Sequence, residues 1–218
     1  GPSFFPDGKR LLLYSPRSGQ YEIWSMRLDG SGATQLTRTA SDEVVNPDLS
    51  RDGSKVAASL SRSTGSAWAR IDGALPASPE ALPARGDGNA FTYPVWSSDG
   101  TRLAGLLLQP SGRRTLGVYS LESKSYRAID RDAEDPAVWV GDKTLLFLRS
   151  GAVYAADLAS GAEHEVVAAK DLGLGRRFLR VQDLLVVAQG RERGVLLLDV
   201  EADPRGSPRV ELGRGVDD

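Results

Sequence analysis

The acidic side chains with the most regular spacing lie in the segments that join one sequence repeat to the next. They are Asp42, Glu43, Asp87, Asp132, Glu134, Asp135 and Asp171. Three of them, Asp42, Asp87 and Asp132, follow one another at intervals of 45 residues. A ring of carboxylates could attract a partner, and a close pair could act as acid and base on a glycoside. The alternative is structural, because aspartates in connecting segments cap turns.

Arginines recur with similar regularity in the loops predicted between the second and third strands of each repeat. They are Arg17, Arg62, Arg113, Arg114, Arg149, Arg191 and Arg193. If the repeats are arranged radially, these loops and the acidic segments share one face around a channel mouth, which we call the mouth face. We predict that its acidic inner ring and basic outer ring dock a protein or peptide. The alternative is that these arginines are merely solvated.

Two aromatic residues in the second connecting segment, Phe91 and Tyr93, are candidates for the apolar anchors that a docking surface needs. The alternative is that both rings pack between neighbouring repeats as part of the core. We include both residues in the predicted partner-binding set.

Motifs for catalysis and for metal or cofactor binding are missing from the sequence. The chain has no cysteine, and its one histidine, His164, falls between two glutamates on a predicted outer strand. No Gly-x-Ser-x-Gly elbow and no phosphate-binding glycine motif is present. The segment 86–89 has the composition of part of a calcium loop but lacks the closing bidentate glutamate. We therefore predict no catalytic residues, no metal site and no cofactor, while carboxylate pairs for carbohydrate chemistry stay open.

The elements that would position these residues are indicated by a repeated motif. A proline is followed five positions later by an Asp-Gly turn at Pro2, Pro47 and Pro94. Weaker copies follow, and the turn aspartates recur every 41 to 47 residues at Asp7, Asp52, Asp99, Asp142 and Asp183. A period of this size is typical of the four-stranded blade of a β-propeller.

The second strand of each repeat is a nearly continuous apolar run rather than an alternating one. These runs are 11–14, 56–60, 103–108, 145–148 and 184–188. Such a strand is covered on both faces, which in an antiparallel array requires sheets stacked face to face. We therefore predict an all-β fold, a β-propeller of about five four-stranded antiparallel blades. A partial ring of a larger propeller is the alternative architecture.

The predicted propeller occupies residues 1–218 as a single domain. Its repeats are 3–46, 47–91, 92–135, 136–175 and 176–218. The last repeat lacks the proline and glycine of the turn and is predicted to be a cap. A proline-rich stretch, 74–79, should leave the outer strand of the second repeat short, because proline cannot donate to a ladder.

Composition excludes two classes of partner. The formal net charge is −2, whereas holding a phosphate backbone requires a strongly basic face, so we predict no nucleic-acid binding. The longest apolar runs are far shorter than the ~20 residues that span a bilayer, so no membrane insertion by this segment is predicted.

The pattern Pro-x-(Trp/Phe/Leu)-x-x-Asp-Gly-x-x-(Leu/Val), followed by strands such as 21–26, resembles the WD-like propeller repeat of the bacterial TolB family. The resemblance is strongest in the first three repeats. It implies a non-catalytic protein-interaction, scaffold or sensor domain of a larger bacterial envelope or signalling protein. It also implies a periplasmic or otherwise extracytoplasmic location, with a cytoplasmic one still open.

The same resemblance leaves two other functions open. One is the gating propeller of a prolyl-oligopeptidase-like serine peptidase, and the weaker one is a carbohydrate-binding or carbohydrate-processing propeller.

Overall fold

The computed structural model describes residues 3–63 and 65–168, together with four later strands, 177–181, 184–188, 195–202 and 208–214. Every regular element within these residues is a β-strand. The described residues contain no helix that is long and apolar enough to cross a membrane. The chain divides into two compact units, residues 1–131 and 132–218. The all-β prediction is confirmed, while the assignment of residues 1–218 to one domain stays a prediction.

The first unit contains three four-stranded sheets in which each strand pairs with the next along the chain. The first sheet consists of β1 (Ser3–Phe4), β2 (Arg10–Ser15), β3 (Glu22–Arg27) and β4 (Thr34–Gln35). The second consists of β5 (Val44–Leu49), β6 (Lys55–Leu60), β7 (Gly65–Arg70) and β8 (Glu80–Ala81). The third consists of β9 (Ala90–Trp96), β10 (Arg102–Leu108), β11 (Arg114–Ser120) and β12 (Ser125–Asp132).

The second unit contains two further sheets with the same strand order among its described residues. One consists of β13 (Val138–Val140), β14 (Thr144–Arg149), β15 (Ala152–Asp157) and β16 (Glu163–Val167). The other consists of β17 (Arg177–Val181), β18 (Leu184–Ala188), β19 (Val195–Ala202) and β20 (Pro208–Arg214). The predicted four-stranded blades are therefore confirmed.

Two first strands begin before the predicted repeat boundaries, which are residues 47 and 92. β5 starts at Val44 and β9 at Ala90, and each continues through its proline. The register shifts at Asn46-Pro47 and at Tyr93-Pro94, where Asn46 and Tyr93 have φ values of 51° and 53°. A β-bulge of this kind inserts an extra residue into one strand. It accommodates a proline that could not otherwise lie inside a ladder.

The middle strand β6 shows why the second strands lack alternation. Val56 and Ala58 belong to a buried cluster that includes Phe5 and Leu12 of the first sheet. Ala57, which points to the opposite face, belongs to a cluster that includes Trp96 of the third sheet. Both faces of β6 are therefore buried between neighbouring sheets, as predicted.

Polar contacts also join the second and third sheets. The backbone N–H of Trp96 donates to the Asp48 carboxylate at 2.7 Å, and the Lys55 ammonium donates to the Gly100 carbonyl at 2.8 Å. Lys55 also lies 5.4 Å from the Trp96 ring centroid. These contacts fix the two sheets at both the strand and the turn level.

The proline-rich stretch 74–79 leaves β8 with two residues, as predicted. The stretch also pairs with the first sheet, which the sequence did not indicate. Ala77 donates to the Leu36 carbonyl at 2.8 Å and accepts from the Arg38 N–H at 2.8 Å. This parallel bridge satisfies backbone groups next to the short outer strand β4.

Candidate functional site

The connecting segment before β5 meets the loop between β6 and β7, as predicted for the mouth face. The Asp42 carboxylate accepts hydrogen bonds from the backbone N–H groups of Arg62 at 2.9 Å and Ser63 at 3.1 Å, and from the Ser63 hydroxyl. Burial raises the pKa of Asp42, but these hydrogen bonds and one from the Glu43 N–H outweigh it and lower the pKa. Asp42 is therefore a loop cap, which agrees with the structural alternative for this residue.

The neighbouring pair Glu43 and Arg62 gives the charge arrangement at this point. The Arg62 guanidinium lies 2.9 Å from a Glu43 oxygen, and their side chains are 57% and 23% exposed. The carboxylate is thus the more buried partner, and the guanidinium is the more exposed one. The predicted order of an acidic inner ring and a basic outer ring stays a prediction.

Asp87 occupies the segment before β9. It forms an ion pair with Arg85, and it accepts hydrogen bonds at 3.1 Å from the backbone N–H and the side-chain amide of Asn89. The Arg85 hydrogen bond, with help from Asn89, lowers the Asp87 pKa. Asp87 is exposed, so both a turn cap and a surface charge describe it.

The basic loop of the third sheet lies beside this segment. A Cβ built on Gly88 would lie 3.9 Å from the Pro110 ring, so the segment and the β10–β11 loop are adjacent. Arg113 and Arg114 are exposed at the end of that loop. In the first sheet, Arg17 is exposed in the β2–β3 loop, 5.1 Å from the Trp24 ring centroid.

The second unit repeats the meeting of connecting segment and loop. The Glu134 N–H donates to the Leu148 carbonyl at 2.9 Å, and the Glu134 carboxylate accepts from the Gly151 N–H at 3.2 Å. In the same segment, Asp132 is exposed and Asp135 is half-buried. The predicted continuation of the two charged rings over all repeats stays a prediction. Asp171, Asp183, Arg191 and Arg193 lie outside the described residues.

Arg149 has structural contacts that the sequence did not indicate. Its guanidinium forms an ion pair with Glu163 on the outer strand β16 and lies 4.0 Å from the Tyr154 ring centroid. The Glu163 hydrogen bond raises the pKa of Arg149. Arg149 therefore ties β14 to the outer strands, and it is unsuitable as a freely available docking cation.

The two aromatic candidates differ. Phe91 is 2% exposed and belongs to the core cluster between the second and third sheets, so its prediction as a surface anchor is wrong. The reason is that its side chain points to the packed face of β9. Tyr93 is 43% exposed, because the bulge turns it out of the sheet, and its N–H donates to the Ser59 hydroxyl at 2.8 Å. Tyr93 stays available as an anchor.

The first sheet contains a buried acid that was not predicted from the sequence. Glu22, at the start of β3, is 1% exposed. Its carboxylate accepts hydrogen bonds from the Thr37 hydroxyl at 2.7 Å, the Thr39 N–H at 2.7 Å and hydroxyl at 2.8 Å, and the Gln20 amide at 2.9 Å. The Thr39 hydroxyl oxygen also lies 2.6 Å from the Asp42 carbonyl oxygen, so its one hydrogen is shared between that carbonyl and the Glu22 carboxylate. Glu22 therefore anchors the segment that carries Asp42 and Glu43. The threonines at positions 37 and 39 were the only feature of the sequence that could have indicated hydrogen-bond donors for a buried acid.

The structure also gives the position of the single histidine and of the acidic side chains that could bind a metal ion. His164 is exposed on β16, the outer strand of its sheet, as predicted. Among residues 3–63 and 65–168 and the later described strands, no group of three or more histidine or acidic side chains is placed to hold a metal ion.

Comparison with known proteins gives one curated relative and many similar structures. No family model matches the chain. An uncharacterised protein of Agrobacterium fabrum (strain C58) is 39% identical over 56 residues, which is 26% of this chain and 19% of that protein. The crystal structure of TolB from Acinetobacter baumannii has a TM-score of 0.65 and 16% identity, and the match covers 94% of this chain and 52% of TolB.

Two structures of enzymes are also similar. An oligogalacturonate lyase in complex with manganese has a TM-score of 0.63 and 16% identity over 93% of this chain and 61% of the lyase. A puromycin-hydrolysing peptidase of Mycobacterium tuberculosis has a TM-score of 0.56 and 16% identity over 88% of this chain and 36% of the peptidase. The chain thus spans about half of TolB and less of the peptidase. These likenesses confirm the TolB-like β-propeller fold.

Proposed function

We propose that the chain is a non-catalytic propeller domain of a larger bacterial envelope or signalling protein that docks a protein or peptide through its mouth face. The observation that carries the proposal is the arrangement at Arg62, where the half-buried Asp42 carboxylate holds the loop and the guanidinium, paired with half-buried Glu43, stays 57% exposed. Exposed Arg17, Arg113 and Arg114 occupy corresponding loops of the first and third sheets. Outward cations on fixed loops favour acidic partners and raise the association rate.

The likeness to TolB supports both the binding role and an extracytoplasmic location. Exposed Tyr93 supplies an apolar contact on the same set of connecting segments, which gives the charged surface an aromatic anchor. The proposed partner is a protein or peptide rather than nucleic acid, since the net charge of the chain is −2.

The test is charge reversal of Arg17, Arg113 and Arg114 to glutamate. Arg149 is left unchanged because its ion pair with Glu163 is structural. Captured proteins from cross-linked source cells are compared for wild type and variant by mass spectrometry. We expect the specific partner to be lost while the melting temperature stays unchanged, because exposed substitutions typically change stability by less than about 0.5 kcal/mol.

A matched control reverses three exposed lysines in turns at the opposite ends of the strands. These are Lys9, Lys124 and Lys143. The control changes the net charge by the same amount, so retained capture assigns the effect to the mouth face. Equal capture by wild type and the arginine variant would refute the docking role of these residues.

The likeness to the lyase supports a second candidate, a carbohydrate-binding propeller. Calorimetric titration of the chain with oligogalacturonate, with and without Mn²⁺, tests it. Saturable binding would replace the docking proposal with a carbohydrate function, and an absence of heat would remove this candidate.

A further inference from the structure

A cleft of about 410 Å³ lies between the first and second sheets. It is formed by residues that flank or belong to the first two Asp-Gly turns, by β3 and β4, and by the segments between the third and fourth strands. These connections are at the opposite ends of the strands from Asp42 and Arg62, so the cleft is separate from the mouth face. We call it the inter-blade cleft. Its lining includes Phe5, Arg10, Arg27, Leu36, Ile71 and Asp72. Its volume falls in the range of small-molecule sites, which is roughly 300–1,000 Å³.

The inner walls of the cleft are apolar. Phe5, Leu36 and Ile71 are buried members of one core cluster, so the packing of the two sheets holds them in place. Leu75, from the proline-rich stretch, is 40% exposed and adds an apolar surface that the fold itself leaves uncovered. The walls therefore suit a hydrocarbon or aromatic body.

Two of the three charged side chains in the cleft are neutralised by the protein. The Arg10 Nε lies 2.8 Å from an Asp7 oxygen, and its guanidinium lies 4.2 Å from the Phe5 ring centroid. The Asp72 carboxylate lies 2.5 Å from an Arg70 nitrogen. These two pairs contribute little net charge to the cleft.

Arg27 is the remaining charged side chain, and it interacts electrostatically with the Asp29 carboxylate two positions along the chain. Within the described part of the chain it makes no ion pair, and its side-chain hydrogen bond to the Ser31 hydroxyl is long, at 3.4 Å. Gly32 leaves the space that the guanidinium occupies, since a Cβ there would lie 2.8 Å from an Arg27 nitrogen. The cross-strand pair Ser25 and Thr34 adds two hydroxyl groups to the lining beside it.

We propose that the inter-blade cleft binds a small monocarboxylate with an apolar body, with Arg27 binding the carboxylate. The planar guanidinium fork matches a carboxylate in a bidentate geometry. Since no carboxylate of the described residues is in ion-pair contact with it, the guanidinium can pair with one ligand carboxylate, and the Phe5, Leu36 and Ile71 walls accept the apolar portion. The two sources of this chemistry are a medium-chain fatty acid and a short peptide with an apolar C-terminal residue. The inference does not depend on the mouth face.

The test is calorimetric titration of the full chain with octanoate and with N-acetyl-alanyl-leucine, each against its neutral counterpart, octanol and the peptide amide. We expect one carboxylate to bind and its neutral counterpart to bind about tenfold more weakly or worse, because a charge-assisted hydrogen bond is lost. The arm that binds identifies the source of the carboxylate.

Three variants assign the binding to the cleft. Arg27→Gln should weaken it about tenfold or more, and Thr34→Trp should abolish it by filling the cleft while leaving Arg27 in place. Arg38→Gln, at an exposed arginine outside the cleft, is the matched control and should bind as wild type does. Failure of both carboxylates to bind at millimolar concentration, or unchanged binding by Arg27→Gln, would overturn the proposal.

Discussion

The aspartate of the repeated turn acts through a fixed set of hydrogen bonds. Asp52 accepts from the Ser50 hydroxyl at 2.6 Å, the Ser54 N–H at 2.9 Å and the Ser54 hydroxyl at 2.7 Å. Asp99 makes the corresponding contacts with Ser97 and Thr101. The turn glycine has positive φ, 72° at Gly53, which few other residues adopt. In the second and third repeats, the serine two positions before the aspartate is therefore part of the turn together with the Asp-Gly pair.

These hydrogen bonds predict a pH dependence. The Ser50 hydroxyl, followed by Ser54, lowers the pKa of Asp52 to about 2. Because the unfolded value is about 3.9, the ionised turn stabilises the fold above that pH and loses the contribution as the pH falls toward 2. Asp52→Asn should therefore lose less stability than wild type between pH 5 and pH 2, measured by urea unfolding. Exposed Glu122→Gln is the control. Parallel curves for Asp52→Asn and wild type would contradict this role.

Buried Glu22 leads to a second prediction at this scale. Glu22→Ala removes the acceptor of four hydrogen bonds and leaves the buried Thr37 hydroxyl without it. We expect a loss of about 2–4 kcal/mol in the free energy of unfolding. Exposed Glu122→Ala should change it by less than about 0.5 kcal/mol. Similar values for the two variants would show that the Glu22 network does not hold the segment before β5.

The sequence was enough to predict which loops and connecting segments carry the charged candidate residues, but it did not predict what their side chains contact. The sequence placed Asp42 next to the β6–β7 loop, since the repeat fixes which connections share an end of the sheet. It could not show that Asp42 caps that loop or that Arg149 is bound to Glu163, because both facts depend on side-chain geometry across strands. The same limit hid Glu22, which reads as one polar residue at a strand start.

At the scale of the strand, the glycines of the third sheet allow close packing, because a side chain at Gly105 or Gly117 would overlap neighbouring atoms. Gly105 in β10 faces the bulge of β9, and it pairs with Gly117 in β11. A Cβ on Gly105 would lie 2.7 Å from the Thr92 carbonyl oxygen and 2.8 Å from the Phe91 ring. The bulge and Gly105 therefore depend on each other.

Gly105→Ala should lower the free energy of unfolding by about 1–3 kcal/mol, because the added methyl group overpacks the core. Gly65→Ala in β7 is the matched control, since no atom lies within 4 Å of its Cβ position. Chemical denaturation of both variants measures the difference. A Gly105→Ala variant as stable as the Gly65→Ala variant would mean that the β9 bulge relaxes freely.

The strands themselves were largely predictable. The apolar run at 56–60 corresponds to β6 (Lys55–Leu60), and the run at 184–188 corresponds to β18. The start of β5 was missed by three residues, because proline normally ends a strand and the sequence does not display the positive φ of Asn46. The pairing of the 74–79 stretch with the first sheet was also missed, since it joins segments some 40 residues apart.

For the molecule as a whole, the period of the turn aspartates was enough to predict a propeller. The structural likeness to TolB confirms that fold. The period does not indicate which loops bind a partner. The strands determine the propeller fold, whereas binding depends on the side chains in the loops that connect them. The mouth face and the inter-blade cleft are therefore separate proposals that the shared fold allows but does not imply.

The most direct test of the stacked-blade architecture is a methyl-edited NOE measurement across β6. Methyl groups of Val56 should show NOEs to the cluster around Phe5 and Leu12, and the Ala57 methyl group should show NOEs to the cluster around Phe91 and Trp96. This result requires one strand to be covered by two different sheets. NOEs from Val56 and Ala57 to the same cluster, or an Ala57 methyl group without NOEs to the third sheet, would contradict the architecture.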